Sequence, residues 1–182
     1  MRSIRAIAAF PRAIPLAADD VMEFHAARLL LLLHHCGSGD TIHGLTKLAK
    51  LDFFVRYPAF FGRVANRLGR PVSTPEREPE SAMVRHHYGP WDKRYYQVLG
   101  SLRACGLIAV QKSGNAYDFS LTALGKEKAE SLSQREPFMP IVEHMQIVKK
   151  VLGRKSGTQL KSLVYDVFDV EVTQRKLGDV IR

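Results

Sequence analysis

Residues 91–125 read WDKRYYQVLGSLRACGLIAVQKSGNAYDFSLTALG. Apolar side chains recur at helical spacing early in this stretch, which predicts a helix with one face turned towards a core. Gly106 ends this helix, because glycine adopts the left-handed conformation of a helix C-cap at little steric cost. Residues 107–110 and 116–121 then alternate as two strands around a turn at residues 113–115. The stretch therefore predicts a helix followed by a β-hairpin.

A helix that leads into a two-stranded hairpin is how a winged helix-turn-helix is built, with the helix in a major groove and the hairpin on the backbone. We therefore expect a mainly α fold with a small β-hairpin, a winged helix-turn-helix with additional N- and C-terminal helices. Basic and amide side chains on the helix and at the hairpin tip are the predicted DNA contacts: Lys93, Arg94, Arg103, Lys112 and Asn115. A solvated helix face and an ordinary turn carry the same residue types, so the pattern leaves that simpler interpretation open.

The charge balance favours a polyanionic partner. The 182 residues include 27 Lys and Arg against 18 Asp and Glu, a formal net charge of +9. Such an excess indicates nucleic acid first and an anionic membrane surface second, although an acidic protein partner also fits it. No apolar run is long enough to span a bilayer, because the five leucines at residues 29–33 are flanked by His and Arg. We therefore expect DNA as the partner and no membrane insertion.

The two cysteines indicate a compartment but no chemistry. Cys36 and Cys105 each lie near the end of an apolar helical run, so we expect buried thiols and no disulfide framework. This usage is typical of a protein in a reducing cytoplasm.

Five parts follow one another along the chain. Residues 1–18 form a basic arm interrupted by two prolines, and residues 69–82 form a connection rich in Pro, Glu and Ser, which is typical of a flexible segment. Residues 19–68 and 136–182 are the N- and C-terminal helical parts on either side of a winged-helix unit at 83–135. The hydrophobic periodicity and the cap residues place further helices at residues 21–36, 42–56, 59–68, 122–134, 141–152, 159–168 and 173–181.

The most unusual local chemistry is RHHYGPWD at residues 85–92. We expect a rigid structural knuckle there, with Pro90 in the first turn of the following helix. A zinc site would need further ligands, and adjacent histidines on a helix point about 100° apart. The sequence contains no Gly-rich phosphate loop, paired carboxylates or nucleophile motif. We therefore predict a binding protein rather than an enzyme, with no catalytic residue, metal or cofactor.

The helix at residues 42–56 is apolar almost all round its second half, which is usual for a helix buried on two sides. It is either central to the domain or exposes part of an aromatic surface to a partner. The candidate partner-binding residues in the second case are Phe53, Phe54, Phe60 and Phe61.

Four stretches resemble the small middle components of bacterial ABC-three-component systems. They are HGLTKLAKLDFFVRYP at 43–58, HHYGPWDKRYYQVLGSLRACGLI at 86–108, LTALG at 121–125 and SGTQLKSLVYDVF at 156–168. The resemblance implies a winged-helix protein encoded beside a large ABC/SMC-like ATPase, in bacterial genome or antiphage defence. Its expected role is to bridge or regulate that ATPase and to read DNA. The resemblance implies no catalytic residue.

Two other function classes share the helix, hairpin and LTALG pattern. A transcriptional repressor of the MarR or PadR type would form a homodimer on a palindromic operator, although the long helical N-terminal half is unlike the dimerisation helices of such repressors. A protein-only scaffold, like the winged-helix subunits of condensin-like complexes, would associate with an ATPase without DNA affinity. The sequence leaves open whether the chain forms a homodimer.

Overall fold

A computed structural model describes residues 21–75, 83–86, 89–168 and 180–181. Within them the fold is mainly α with small antiparallel sheets, which confirms the fold class at that level. The helices are α1 (Met22–Cys36), α2 (Leu45–Arg56), α3 (Pro58–Arg67), α4 (Tyr95–Ala104), α5 (Ala123–Ser133), α6 (Met139–Leu152) and α7 (Gly157–Val167). The strands are β1 (Thr41–His43), β2 (Met83–His86), β3 (Gly89–Trp91), β4 (Ile108–Ser113), β5 (Ala116–Leu121) and β6 (Val180–Ile181). A 3-10 turn at Glu136–Phe138 leads into α6.

Strands β4 and β5 form the predicted hairpin, and β1 extends it to a three-stranded antiparallel sheet in the order β1-β5-β4. The hairpin turns over Gly114 and Asn115, where Gly114 has a φ of +58°, a value suited to the two-residue turns of tight hairpins. Ile42 of β1 lies opposite Phe119 of β5, and both side chains are buried. A second antiparallel sheet has the order β3-β2-β6. The first sheet therefore joins the N-terminal half of the chain to the hairpin.

The predicted start of the second helix is wrong. The sequence pattern places it at Ile42, but Thr41–His43 form β1 and α2 begins at Leu45. Ile42 contributes its side chain to the core beside the hairpin, and Gly44, with a φ of +87°, separates the strand from the helix. The strand is three residues long and its partner β5 lies far along the chain, so local periodicity does not reveal it.

The segment before α4 also differs from the prediction. Pro90 does not lie in a first helical turn, because Gly89–Trp91 form β3 and α4 begins only at Tyr95. Proline is tolerated in β3 because this strand is at the edge of the described sheet. At the C-terminal end, Val180–Ile181 form β6 against β2 where the sequence predicts a helix. The rest of that predicted helix, residues 173–179, lies outside the described residues.

The sequence pattern predicts Thr122 as one helix cap and leaves Ser156 and Thr158 both open as another, and the structure has Thr122 and Ser156 as caps. At the start of α5, Thr122 Oγ1 accepts a hydrogen bond of 3.0 Å from the Gly125 N–H. At the start of α7, Ser156 Oγ accepts from the Gln159 N–H, and the Gln159 side chain accepts from the Ser156 N–H in return. Each cap satisfies N–H groups that have no partner inside the helix. These local signals fix the helices that follow the hairpin.

Helices α1 and α2 run through the core. The leucines at residues 29–33 are all buried, as is every residue of α2 from position 48 to its end. Helix α1 packs on α4, α5 and α6, whereas α2 packs on α3, α6 and α7. Cys36 is buried as predicted, but the prediction for Cys105 is wrong, because it follows the last turn of α4 on the solvent side. No helix within the described ranges is long and apolar enough to cross a membrane.

Candidate nucleic-acid interface

Helix α4 has a buried side and an exposed side, because successive residues of a helix are about 100° apart. The buried side packs towards α1 and β4 through Tyr95, Val98, Leu99 and Leu102. The exposed side carries Tyr96, Gln97, Gly100, Ser101 and Arg103, and Lys93 is exposed in the turn before the helix. Helix α4 therefore presents a mixed polar and aromatic face to the solvent.

The hairpin adds side chains next to this face. In the register of β4 and β5, Lys112 lies opposite Tyr117 and Val110 lies opposite Phe119. Paired residues, and residues two apart on a strand, project from the same side of a sheet. That side faces α4, because Val110, Tyr117 and Phe119 line a groove together with residues of α4. Lys112 therefore belongs to the same surface as the exposed side of the helix.

Three cations of this surface have no acidic partner in the part of the chain that the structure describes. Lys93, Arg103 and Lys112 are exposed, and none of them forms an ion pair or side-chain hydrogen bond with a described residue. Asn115 is exposed in the hairpin turn. Four of the five predicted DNA contacts are therefore exposed, with Lys93 in the turn before α4, Arg103 on α4, and Lys112 and Asn115 on the hairpin.

Arg94, the fifth predicted contact, is placed differently. Its guanidinium is half-buried, with Nε and Nη2 donating to the Asp92 carboxylate at 2.8 and 2.9 Å. Its Nη1 lies 2.8 Å from Nε2 of His25 on α1. These contacts hold the side chain against the body of the protein. The structure corrects the assignment, since Arg94 anchors the start of α4 instead of facing a ligand.

Buried charges surround the start of α4. Arg28 Nε donates to Asp52 Oδ1 at 2.8 Å, and Arg56 Nη1 donates to Asp92 Oδ2 at 2.8 Å. The Tyr95 hydroxyl donates to Asp52 Oδ2 at 2.7 Å, which ties α4 to α2. Buried charges are costly unless they are paired, so these contacts constrain where α4 begins. We call this set the anchor cluster: Arg28, Asp52, Arg56, Asp92, Arg94 and Tyr95.

Asp92 and Tyr95 of the anchor cluster have shifted pKa values. Burial raises the pKa of the Asp92 carboxyl, but hydrogen bonds from Arg94 and the charge of Arg56 outweigh burial and hold that pKa well below its usual range. Burial and the charge of Asp52 raise the pKa of the Tyr95 hydroxyl well above its ordinary value. At neutral pH Asp92 is therefore ionised and Tyr95 remains a hydrogen-bond donor.

The four phenylalanines predicted to contact a partner are buried in the core. Phe53, Phe54 and Phe61 have no exposed surface, and Phe60 is 9% exposed. Helix α7 packs on α2 and α3, and Phe168 after it brings its ring centroid to within 4.6 Å of the Phe60 ring. The partner-binding assignment is wrong, because these side chains of α2 and α3 lie in the core, where α7 packs on both helices. The sequence alone could not place them there.

Two residues of the surface, Tyr96 and Tyr117, are not among the predicted contacts. They are 70% and 53% exposed, the largest values among the large apolar side chains that the structure describes. Both line the groove between α4 and the hairpin, which also includes Arg103. The helical period could have identified Tyr96, because the residue after the buried Tyr95 points about 100° away from it.

The histidines form no metal site within the described residues. His34 Nδ1 lies 2.9 Å from Asp40 Oδ1, and His35 Nε2 lies 2.8 Å from Ser133 Oγ. Nowhere in the described ranges do three His, Cys, Asp or Glu side chains come together as metal ligands. Residues 87–88 of the predicted knuckle lie outside these ranges.

Comparison with known proteins gives no assignment for the surface. The chain matches no protein-family model, no curated protein and no solved structure. The interpretation therefore depends on the geometry and charge of α4 and the hairpin. The resemblance to the middle components of ABC-three-component systems stays a prediction.

Proposed function

We propose that this chain is a DNA-binding winged-helix subunit without catalytic activity. Helix α4 enters the major groove, and the hairpin β4–β5 contacts the backbone. The observation that carries the proposal is a set of exposed cations before α4, on α4 and on the hairpin: Lys93, Arg103 and Lys112 have no acidic partner among the described residues. Cations in this position favour phosphate oxygens as ligands.

The order of the elements supports a winged helix-turn-helix. Helix α1, strand β1 and helix α2 precede α4, β4 and β5, and β1 pairs with β5 in one small sheet. Helix α3 and strands β2 and β3 are inserted between α2 and α4, where a simple helix-turn-helix has a short turn. The insertion does not separate α4 from the preceding helices, because the anchor cluster ties the start of α4 directly to α1 and α2.

The chemistry of each side chain suggests its role. Gln97 and Ser101 lie on the exposed side of α4 and can form hydrogen bonds with base edges, whereas Arg103 suits guanine or phosphate. Lys93 before α4 and Lys112 on the hairpin suit phosphates. Phosphate contacts orient the protein and base contacts select the sequence.

Fluorescence anisotropy with a blunt-ended DNA duplex of mixed sequence tests the proposal. We expect the variant K93E/R103E/K112E to lose duplex binding at low salt, because three phosphate-binding cations become anions. The slope of log affinity against log salt concentration should decrease by about 0.9 for each lost phosphate contact.

The matched control is the variant R67E/K150E/R154E, which makes the same charge change at exposed positions of α3 and around the end of α6. We expect it to keep most of the duplex affinity. Equal losses for the two triple variants would mean that net charge alone drives binding. No duplex binding by the wild-type chain would refute the proposed function.

We further propose that the subunit works beside an ABC/SMC-like ATPase in bacterial genome or antiphage defence. The support is the resemblance of residues 43–58, 86–108, 121–125 and 156–168 to the middle components of ABC-three-component systems. Co-expression with a large ATPase encoded next to this chain, followed by affinity purification, tests the association. A homodimer that protects a palindromic operator and binds no ATPase would identify a repressor instead.

A further inference from the structure

A shallow groove of about 290 Å³ lies between α4 and the hairpin. Its two sides are formed by Tyr96 on the helix and Tyr117 on the hairpin. Neither ring contacts the other, so the space between them is open. Two exposed aromatic rings on either side of one groove are suited to a flat aromatic ligand.

Gly100 lines this groove with helix backbone and no side chain. It lies in the middle of α4, where glycine is less favourable than alanine. A Cβ atom at this position would meet no described atom within 4 Å, so internal packing does not require glycine. The missing side chain lets a flat ring approach the helix closely.

The ring of Tyr96 packs next to that of Trp91. Its centroid lies 6.0 Å from that of Trp91, with an angle of 49° between the planes. Trp91 is itself buried and packs edge-on against Tyr95, with centroids 5.1 Å apart. Tyr96 is therefore positioned before a ligand binds, which reduces the entropy that binding would cost.

The charge around the groove selects an anionic ligand. Arg103 lines the groove, and Lys112 projects from the hairpin on the same side as Tyr117. No carboxylate is among the residues that line it. An apolar side chain of a protein would need no cations at the rim, whereas a nucleotide supplies both a flat ring and a phosphate.

We propose that the groove binds an unpaired base of single-stranded DNA between Tyr96 and Tyr117, with the flanking phosphates on Arg103 and Lys112. The proposal rests on the proposed DNA binding and adds a preference for duplexes that carry a single-stranded tail. Aromatic side chains stack on every base, so the groove selects single-stranded DNA and not a particular sequence. A base inside a duplex is already stacked and does not enter the groove.

The test compares three labelled DNAs by fluorescence anisotropy: a blunt duplex, the same duplex with a thymidine tail, and an oligothymidylate. Replacing Tyr96 or Tyr117 by Ala should weaken binding of the tailed duplex and the oligothymidylate on the order of 5- to 100-fold, with a clearly smaller loss for the blunt duplex. The matched control is M139A, which removes another exposed apolar side chain, on α6, and should change none of the three affinities.

Three further variants separate stacking from a loss of structure. Y96F and Y117F keep an aromatic ring and should bind tailed DNA nearly as well as the wild type. Gly100→Leu fills the groove while both tyrosines are kept, and it should weaken binding of the tailed duplex as the alanine variants do.

Several outcomes would overturn the proposal. Equal affinity of the wild type for tailed and blunt duplexes would do so, as would equal losses on both DNAs in the alanine variants. If Y96A and Y117A bind all DNAs normally but no longer associate with an ATPase, a protein side chain occupies the groove instead. Failure of the proposed duplex binding gives a different result from failure of the groove proposal. In that case K93E/R103E/K112E would bind the blunt duplex as the wild type does.

Discussion

Arg94 and Arg103 are at opposite ends of α4 and have opposite surroundings. Arg94 is half-buried between Asp92 and His25, whereas Arg103 is exposed and has no acidic partner among the described residues. Both are basic residues of one predicted helix, so residue type alone treats them alike. Asp92 makes the difference, because this buried carboxylate draws the Arg94 guanidinium into the protein. The comparison separates cations that hold α4 in place from cations that are available to a ligand.

Breaking the anchor cluster should have the largest effect. The variant D52A removes the acceptor of Arg28 and of the Tyr95 hydroxyl and leaves buried cations with less counter-charge. We expect the free energy of unfolding to decrease by about 3–5 kcal/mol, measured by urea denaturation. The matched control is E127A, which removes an exposed partner of Lys128 and should change stability by less than about 0.5 kcal/mol.

A loss below about 1 kcal/mol for D52A would mean that the cluster does not hold α4. The milder variant D52N keeps one acceptor oxygen and should lose less stability, so it remains measurable if D52A does not fold. In either variant we expect duplex affinity to decrease along with stability, whereas R103A should lower affinity alone.

Much of the region around α4 could be predicted from the sequence, because its signals are local. Alternation and the turn at Gly114 indicate the hairpin, Thr122 indicates the start of α5, and Ser156 is one of two candidate caps, with Thr158, for α7. In each case the residues that determine the element are next to it in the chain. The exposure of Arg103 also follows from the helical period, since it falls on the side of α4 away from the core.

The remaining features depend on contacts between distant parts of the chain. Strand β1 exists only because β5 pairs with it, and the burial of Phe53 and Phe60 depends on α7. Besides its local partner Asp92, Arg94 contacts His25 of α1, which is 69 residues earlier in the chain. The groove requires the helix and the hairpin to meet, which brings Tyr96 close to Tyr117. Local periodicity contains none of this information.

Lys50 adds a third case to the comparison of Arg94 and Arg103. It is a buried lysine whose hydrogen-bond partner is a backbone carbonyl and not a carboxylate. Its Nζ donates to Pro90 O at 2.9 Å, and burial, with the charge of Lys161, lowers its pKa to about 7. In the unfolded chain this lysine has an ordinary pKa, so above about pH 7 the unfolded chain binds more protons and stability rises with pH. Between about pH 7.5 and 9, the free energy of unfolding of the wild type should increase relative to that of K50M by up to about 1.4 kcal/mol per pH unit.

Guanidinium unfolding at several pH values measures this difference, and subtracting the variant removes the contributions of other titrating groups. The variant K128M, at an exposed lysine, is the matched control and should change the free energy of unfolding by less than about 0.5 kcal/mol. A constant difference between the wild type and K50M would mean that Lys50 keeps its ordinary pKa in the folded protein.

The exposed side of α4 should contribute least to stability, and two glycines test this. In α4 a Cβ at Gly100 would meet no described atom, so G100A should stabilise the protein by about 0.5–1 kcal/mol through the higher helix propensity of alanine. In α5 a Cβ at Gly125 would collide with the carbonyl oxygen of Leu107, so G125A should destabilise it. Thermal denaturation of both variants measures the contrast. If G100A also destabilises the protein, the exposed side of α4 is packed against another part of the chain or a second copy, and it is not available to DNA.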